Sequence, residues 1–389
     1  MIQPFQIASG PRVRFGRGEA AFVGEEAGAL GMARPMLLTD PGLIAAGVLA
    51  PIMEGFQKAG MDFRLFEQAE PNPSDESILR AKEFYETNGC LGMVAVGGGS
   101  SIDTAKAMGA LLANGGKISD FYGADKVAKR VPAFITVPTT AGTGSELTRA
   151  SIITDIEWGT KASIHSDALY ADLAVVDSSL LATLPRYFAA GALMDALTHA
   201  IESIASKRST PWTEAMCMQA VALIGRHARR FVDDPANPDS ADPLALAAAL
   251  AGASFTNTGL GIVHGLTHPV YSFFGGHHGT TNGILLASVM RFNLPAMREK
   301  YAQMAPHLAD PSGKSGPGPG DPGTAEAAIE GVRAIARDIG IPPSLGAIGV
   351  KEEYLDRMAA DAAKSATVQT NPVHADEADM KAIYTELLE

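Results

Sequence analysis

The chain has 389 residues, 46% of them hydrophobic, and carries 31 Lys and Arg against 43 Asp and Glu, a formal net charge of -12. No stretch concentrates its basic residues, which excludes a surface built for phosphate backbones and leaves nucleic acid without a footing. The most apolar run, Leu244 to Phe255, is far shorter than the roughly 20 residues that span a bilayer, and two cysteines, Cys90 and Cys217, are too few for a disulfide framework.

The N-terminus, Met-Ile-Gln-Pro-Phe-Gln-Ile, lacks the basic start and apolar stretch of a signal peptide, so a cytoplasmic protein is expected. Short apolar runs then alternate with helix-like segments: Met36–Thr39, Phe63–Phe66, Met93–Val96, Phe134–Val137 and Leu173–Val176. That rhythm predicts a parallel sheet covered by helices. Beyond Leu184-Pro185 the pattern changes to long Ala, Leu and Met-rich segments at helical spacing, from Tyr187 to Ser206, Thr213 to Val232 and Leu244 to Asn257. Proline disfavours a helical residue before it and opens the next helix. The boundary is therefore set at Pro185, giving an α/β domain over 1–185 and an all-α domain over 186–389. Between later helices, Ser312–Thr324 repeats Gly-Pro and reads as a surface loop.

Two loops of the first half carry a nucleotide signal. Met93–Val96 runs into Gly97-Gly98-Gly99-Ser100-Ser101, and a helix opens at Ile102-Asp103. Glycines let a backbone approach a ligand closely, and the N–H groups at a helix start favour a pyrophosphate. Alone, this strand-turn-helix is equally well a tight turn, because it is not the Gly-x-Gly-x-x-Gly fingerprint. The second loop, Pro138-Thr139-Thr140-Ala141-Gly142-Thr143-Gly144-Ser145-Glu146, adds hydroxyls suited to phosphate or ribose. Asp40, after the Met36–Thr39 run, reads either as a turn residue before Pro41 or as a carboxylate for a ribose diol. The second reading selects NAD over NADP.

The second half carries a metal signal. Asp195 and His199 are four residues apart in an Ala and Leu-rich run, so on a helix both leave the same face. His264 and His268 repeat that spacing, and His277 and His278 follow closely. Five of the nine histidines thus crowd into two short stretches. Asp195, His199, His264 and His278 form a nitrogen and oxygen donor set that suits Fe(II) or Zn(II) better than Mg(II) or Ca(II).

With Gly-Gly-Gly-Ser-x-x-Asp-x-Ala-Lys, Pro-Thr-Thr-Ala-Gly-Thr-Gly-Ser-Glu, Asp-Ala-Leu-Thr-His-Ala-Ile-Glu and the paired His segment in this order, the chain resembles the iron-containing alcohol dehydrogenases of the dehydroquinate synthase-like superfamily. The likeness runs from the Asp40 strand to Thr370-Asn371-Pro372. It implies a Rossmann-like nucleotide-binding domain and a helical metal-binding domain with cofactor and metal in the cleft between them. It also implies a homodimer or higher homo-oligomer, in which Phe5–Phe15 supplies an edge strand or hairpin to the partner. Carried over by position, the metal ligands are Asp195, His199, His264 and His278, with His268 as proton carrier. The dinucleotide contacts are Asp40, Asn72, Gly97, Gly98, Gly99, Ser100, Asp103, Thr139, Thr140, Thr143, Ser145 and Lys161. Phe255 matches a position lining the substrate pocket, and reads equally as core.

The chain departs from the resemblance at Leu193 and Tyr271, where relatives carry glycine, and at His277, which competes with His278 as ligand. His278 is preferred because Gly279 follows it. The expected activity is hydride transfer between a small primary alcohol or diol, with its aldehyde, and NAD, the metal acting as Lewis acid. Rival readings are a glycerol or polyol dehydrogenase and a hydroxyacid-oxoacid transhydrogenase; maleylacetate reductases share the fold but lack this metal set, so the intact cluster counts against them. A dehydroquinate-synthase-like lyase needs a basic pocket that the His segment lacks, and a non-catalytic nucleotide-binding scaffold would leave the metal set unused.

Overall fold

Each apolar run of the first half forms a strand, and the computed structural model describes residues 3–156, 160–309 and 324–389. The strands are β1 (Arg12–Phe15), β2 (Met36–Leu38), β3 (Arg64–Phe66), β4 (Met93–Gly97), β5 (Gly123–Ala124), β6 (Phe134–Pro138), β7 (Ala150–Asp155), β8 (Thr160–His165) and β9 (Leu173–Val176). Six of them make one all-parallel sheet in the order β1-β9-β6-β4-β2-β3. Its central strands β2, β4, β6 and β9 are buried throughout, which is why they read as unbroken apolar runs rather than alternations. Among the helices of this unit are α1 (Val23–Ala29), α2 (Pro41–Ala45), α3 (Ala50–Lys58), α4 (Asp75–Thr87) and α5 (Gly99–Asn114).

Two apolar clusters flank the sheet. Leu37, Val94, Val96, Ile135 and Val175 face one, together with Val23, Ile52 and Phe56 of the helices. Met36, Leu38, Met93, Ala95 and Phe134 face the other, against Ile78, Ile102 and Met108. The strand order reverses between β2 and β4, because the chain steps outward to β3 and returns on the other side of β2. Parallel sheets bind ligands at the carboxyl ends of strands at such a switch point. Here those ends carry Asp40 and the three glycines.

A smaller sheet, β5-β8-β7, joins the antiparallel hairpin β7–β8 to β5. Within the N-terminal segment the strand is shorter than Phe5–Phe15: among the described residues only Arg12–Phe15 is a strand, at the sheet edge beside β9, with no hairpin before it. Pro4 and Pro11 lack the N–H a ladder needs.

The second compact unit runs from Leu184 to Glu389 and includes the N-terminal residues up to Ile7, while the first spans Ala8–Thr183. Its helices are α6 (Arg186–Ala205), α7 (Pro211–Asp233), α8 (Pro238–Thr258), α9 (Ile262–Phe274), α10 (His278–Leu308), α11 (Ala325–Ile339), α12 (Leu355–Ala363) and α13 (Glu377–Glu386). Helix α6 is buried continuously from Ala189 to Ala205, and its alanines and Gly191 let α7, α8 and α10 pack closely around it. The expected loop over Ser312–Thr324 lies outside the described residues apart from Thr324, which caps α11. Among the described residues no single helix is long and apolar enough to cross a membrane.

Candidate active site

Helix α6 presents Asp195 and His199 from one face, both 4% exposed. The turn at Gly259–Gly261 bends the chain by 101° between α8 and α9, and α9 carries His264 to the same point. Three imidazole Nε2 atoms converge on one carboxylate oxygen: those of His199, His278 and His264 lie 3.5, 3.7 and 3.8 Å from Asp195 Oδ1. These separations are long for hydrogen bonds. They lie at or slightly beyond the edges of a coordination shell, since donors held tetrahedrally at about 2.0–2.2 Å from a metal stand about 3.3–3.6 Å apart. Ligand atoms of Asp195, His199 and His264 all lie within 4.8 Å of one another, so the donor set fits a divalent cation.

The protonation states agree with that fit. Loss of water pulls His264 and His278 well below the usual imidazole range. Burial works to raise the Asp195 carboxyl, and the imidazoles of His199, His278 and His264 outweigh it and hold it low. A carboxylate held low beside imidazoles that burial keeps neutral at His264 and His278 is what a cation requires.

His278, not His277, turns toward Asp195. His277 is the N-cap of α10, and its ring packs edge-on against Tyr187 and Phe188 at 5.7 and 5.5 Å. Gly279 makes this geometry possible: a Cβ there would lie 2.1 Å from the Gly191 carbonyl oxygen and 2.9 Å from Asp195 Cβ. Phe255 stacks on the His199 ring at 4.3 Å. His268 is half-buried, and its ring lies 5.8 Å from that of His278.

In the α/β unit, Gly98 is the N-cap of α5 with no side chain satisfying the helix's first N–H groups, which leaves them for a ligand. Gly97 has φ +154°, and a Cβ on it would meet Ser101 Oγ at 2.4 Å, so only glycine fits. Thr140 Oγ1, against Gly98, is buried without a partner among the described residues, and the Thr143 side chain fills the space beside Gly99. Asn72, at φ 54°, donates its N–H to Ser100 Oγ at 3.1 Å and accepts from Lys161 Nζ. Asn72, Ser100 and Lys161 are thereby gathered at the start of α5. Burial lowers Lys161 to about 8. Asp103 and Ser145 bond each other at 2.6 Å, and the Ile152 N–H occupies the other Asp103 oxygen. Asp40 caps α2 by accepting from the Leu43 N–H at 3.1 Å.

A family model described as iron-containing alcohol dehydrogenase matches residues 10–178, and one for the C-terminal part of the Fe-containing alcohol dehydrogenase family matches 189–388. The chain belongs to the iron-containing alcohol dehydrogenase family. It is 34% identical over 362 residues to the NAD-dependent methanol dehydrogenase of Bacillus methanolicus, covering 93% of this chain and 94% of that protein. It is 34% identical over 374 residues to the 1,3-propanediol dehydrogenase of Klebsiella pneumoniae, covering 96% of each. A crystal structure of a 1,3-propanediol oxidoreductase superposes with a TM-score of 0.94 at 33% identity, over 99% of this chain and all of that one. The family match and its NAD-dependent relative support NAD and a metal as the cofactors.

Three groups of this iron-containing alcohol dehydrogenase escaped the sequence reading. Glu202, three residues past His199, is 4% exposed and holds His264 Nδ1 at 2.6 Å; burial pushes it up to about 7. Asn282, four residues past His278, donates to Asp195 Oδ1 at 2.7 Å. Lys106, three residues past Asp103, is fully buried and reaches Ser145 O, Thr148 Oγ1 and Ala150 O at 2.7, 3.0 and 2.8 Å, tying the hydroxyl loop to α5. Helical spacing from the motif residues was the available signal in each case. Leu193, where the resemblance has glycine, is 1% exposed on α6, two residues before Asp195.

Proposed function

We propose that the chain catalyses reversible, NAD-dependent interconversion of a small primary alcohol or diol and its aldehyde, with Asp195, His199, His264 and His278 holding Fe(II). The observation that carries the reading is the convergence of three imidazole Nε2 atoms on Asp195 Oδ1 at 3.5, 3.7 and 3.8 Å. A divalent cation bound there supplies Lewis-acid polarisation of an alcohol or carbonyl oxygen, and NAD supplies the hydride acceptor or donor. Asp195 offsets part of the cation's charge. His268 takes the proton an alcohol loses and passes it toward solvent, a role its half-buried position beside His278 supports. Phe255, stacked on His199, offers the apolar wall for a short carbon chain.

The methanol and 1,3-propanediol dehydrogenases among the relatives support short primary alcohols as the substrate class. Iron is named from the family, since zinc accepts the same donors. On this reading Gly97–Ser100, Asp103, Thr139, Thr140, Thr143 and Ser145 line the dinucleotide site, Asn72 and Lys161 flank them, and Asp40 selects NAD over NADP. The protein is taken as a cytoplasmic homodimer or larger homo-oligomer. Two unpaired, buried cysteines support a reducing compartment, and Val13 and Phe15, 50% and 41% exposed on edge strand β1, support a self-association surface.

NADH formation by anaerobically purified, Fe(II)-loaded protein, screened over short alcohols, diols, glycerol and hydroxy acids beside a chelated control, tests the reading. Metal-dependent NADH is expected with a short alcohol or diol. Silence across the panel, with metal bound and the protein folded, overturns it in favour of transhydrogenase or lyase chemistry. His268→Ala should lower turnover about 10²–10⁴-fold with metal content retained, and loss of metal instead would make His268 a ligand.

A further inference from the structure

We propose that Glu202 is a positioning residue for the metal centre: its carboxylate accepts the Nδ1–H of His264 and fixes the imidazole in the tautomer whose Nε2 lone pair faces Asp195. The proposal rests on the reading of Asp195 and His264 as ligands of one ion. Its first support is the helix. Asp195, His199 and Glu202 follow at i, i+4 and i+7 on α6, so all three side chains leave one face.

Glu202 meets the start of α9 with both oxygens. Oε1 accepts the Val263 N–H at 2.7 Å, and Oε2 lies 2.6 Å from His264 Nδ1. The Val263 N–H can only donate, which fixes Oε1 as an acceptor and turns Oε2 to His264 Nδ1; which atom of that short contact holds the proton is decided at the ring's other nitrogen.

The surroundings of Nε2 decide it. Asn282 must present its Nδ2 to Asp195 Oδ1, 2.7 Å away, because an ionised carboxylate only accepts. Its Oδ1 accepts from Thr267 Oγ1 at 2.6 Å, which agrees with that amide orientation. The same Nδ2 lies 3.4 Å from His264 Nε2. A donor facing Nε2 requires that nitrogen to be unprotonated, so Asn282 and Glu202 select one tautomer from opposite sides. His199 has no such device: its Nδ1 is buried without a partner among the described residues. Of these two, His264 is the ligand whose orientation and basicity the protein sets before an ion arrives, and a carboxylate behind a ligating imidazole strengthens its bond to the ion.

Glu202→Gln keeps the side chain's shape and an oxygen for the Val263 N–H but offers His264 Nδ1 a donor, which drives the proton to Nε2. The measurement is Zn(II) affinity of the full-length protein by competition with a chromophoric chelator, with NAD binding and metal-free melting as parallel readouts. About 10–100-fold weaker Zn(II) binding is expected, with NAD affinity and metal-free melting unchanged. An unchanged Zn(II) affinity overturns the role of Glu202 and leaves the metal centre standing, whereas wild-type protein that binds no Zn(II) overturns the metal reading and the proposal with it. If the variant does not fold, nitrogen-15 histidine spectra of the metal-free wild type decide: His264 protonated at Nδ1 is expected, and protonation at Nε2 overturns the proposal.

Discussion

Glu146 closes the hydroxyl loop, yet its own side chain is 3% exposed. Burial pushes it from 4.5 up to about 7, although Lys106 draws it down. Between those values the folded protein holds a proton that the unfolded chain has released, so stability falls as pH rises through the window from 4.5 to about 7. At roughly 1.4 kcal/mol per pH unit the loss is at most about 3 kcal/mol. Glu146→Gln should remove that slope, leaving the variant similar to wild type near pH 4.5 and more stable by about 1–3 kcal/mol near pH 8. Urea midpoints at the two pH values check it, and parallel curves for the two proteins would show that Glu146 is ionised throughout. Residues of this kind mark what the sequence conceals. The candidate ligands were legible because histidines are scarce and were spaced by helical turns. Glu202 and Asn282 were not, since Glu202 and its partner His264 are 62 positions apart, and common polar residues acquire meaning only when the fold delivers the partner.

At the scale of elements, the decisive contact is the crossing of α6 and the first turn of α10. A methyl at Gly279 would meet backbone, the Gly191 carbonyl, at 2.1 Å. One turn on, a methyl at Gly283 would meet the flexible Met194 side chain at 3.0 Å. Gly279→Ala should therefore cost about 1–3 kcal/mol of stability by overpacking and weaken metal binding by displacing His278. Gly283→Ala should cost less and keep the metal affinity. Denaturant midpoints and metal titrations of both variants test this, and equal effects would mean that the crossing does not set His278. Elements themselves were readable where burial imposes a pattern. The central strands are apolar on both faces, and the long helices repeat their alanines and leucines. Strands β7 and β8 gave no such run: β7 alternates buried and half-buried positions along Ala-Ser-Ile-Ile-Thr-Asp, and β8, Thr-Lys-Ala-Ser-Ile-His, is largely polar. Strand β5 has two residues, too few for any period.

Across the whole molecule, the two cofactor sets are built in different compact units: the metal donors on α6, α9 and α10, and the phosphate-binding loops at the carboxyl ends of β4 and β6. A ligand that binds only the folded form stabilises it by mass action, about 2.7 kcal/mol at a concentration 100 times its dissociation constant. Backbone amides near the bound ligand open less often and exchange more slowly. Adding Zn(II) or Fe(II) to metal-free protein should thus raise the melting midpoint and slow hydrogen exchange in α6, in α9 and at the start of α10. Adding NAD alone should slow exchange over 97–106 and 138–146. A chelator should reverse the first effect and leave the second in place, because the two sets of residues belong to different compact units. Exchange mass spectrometry resolves these segments separately. Metal that protects none of α6, α9 and α10 would remove the four residues from the coordination sphere, and NAD that protects neither loop would return the glycine turn to its simpler reading as a tight junction between strand and helix.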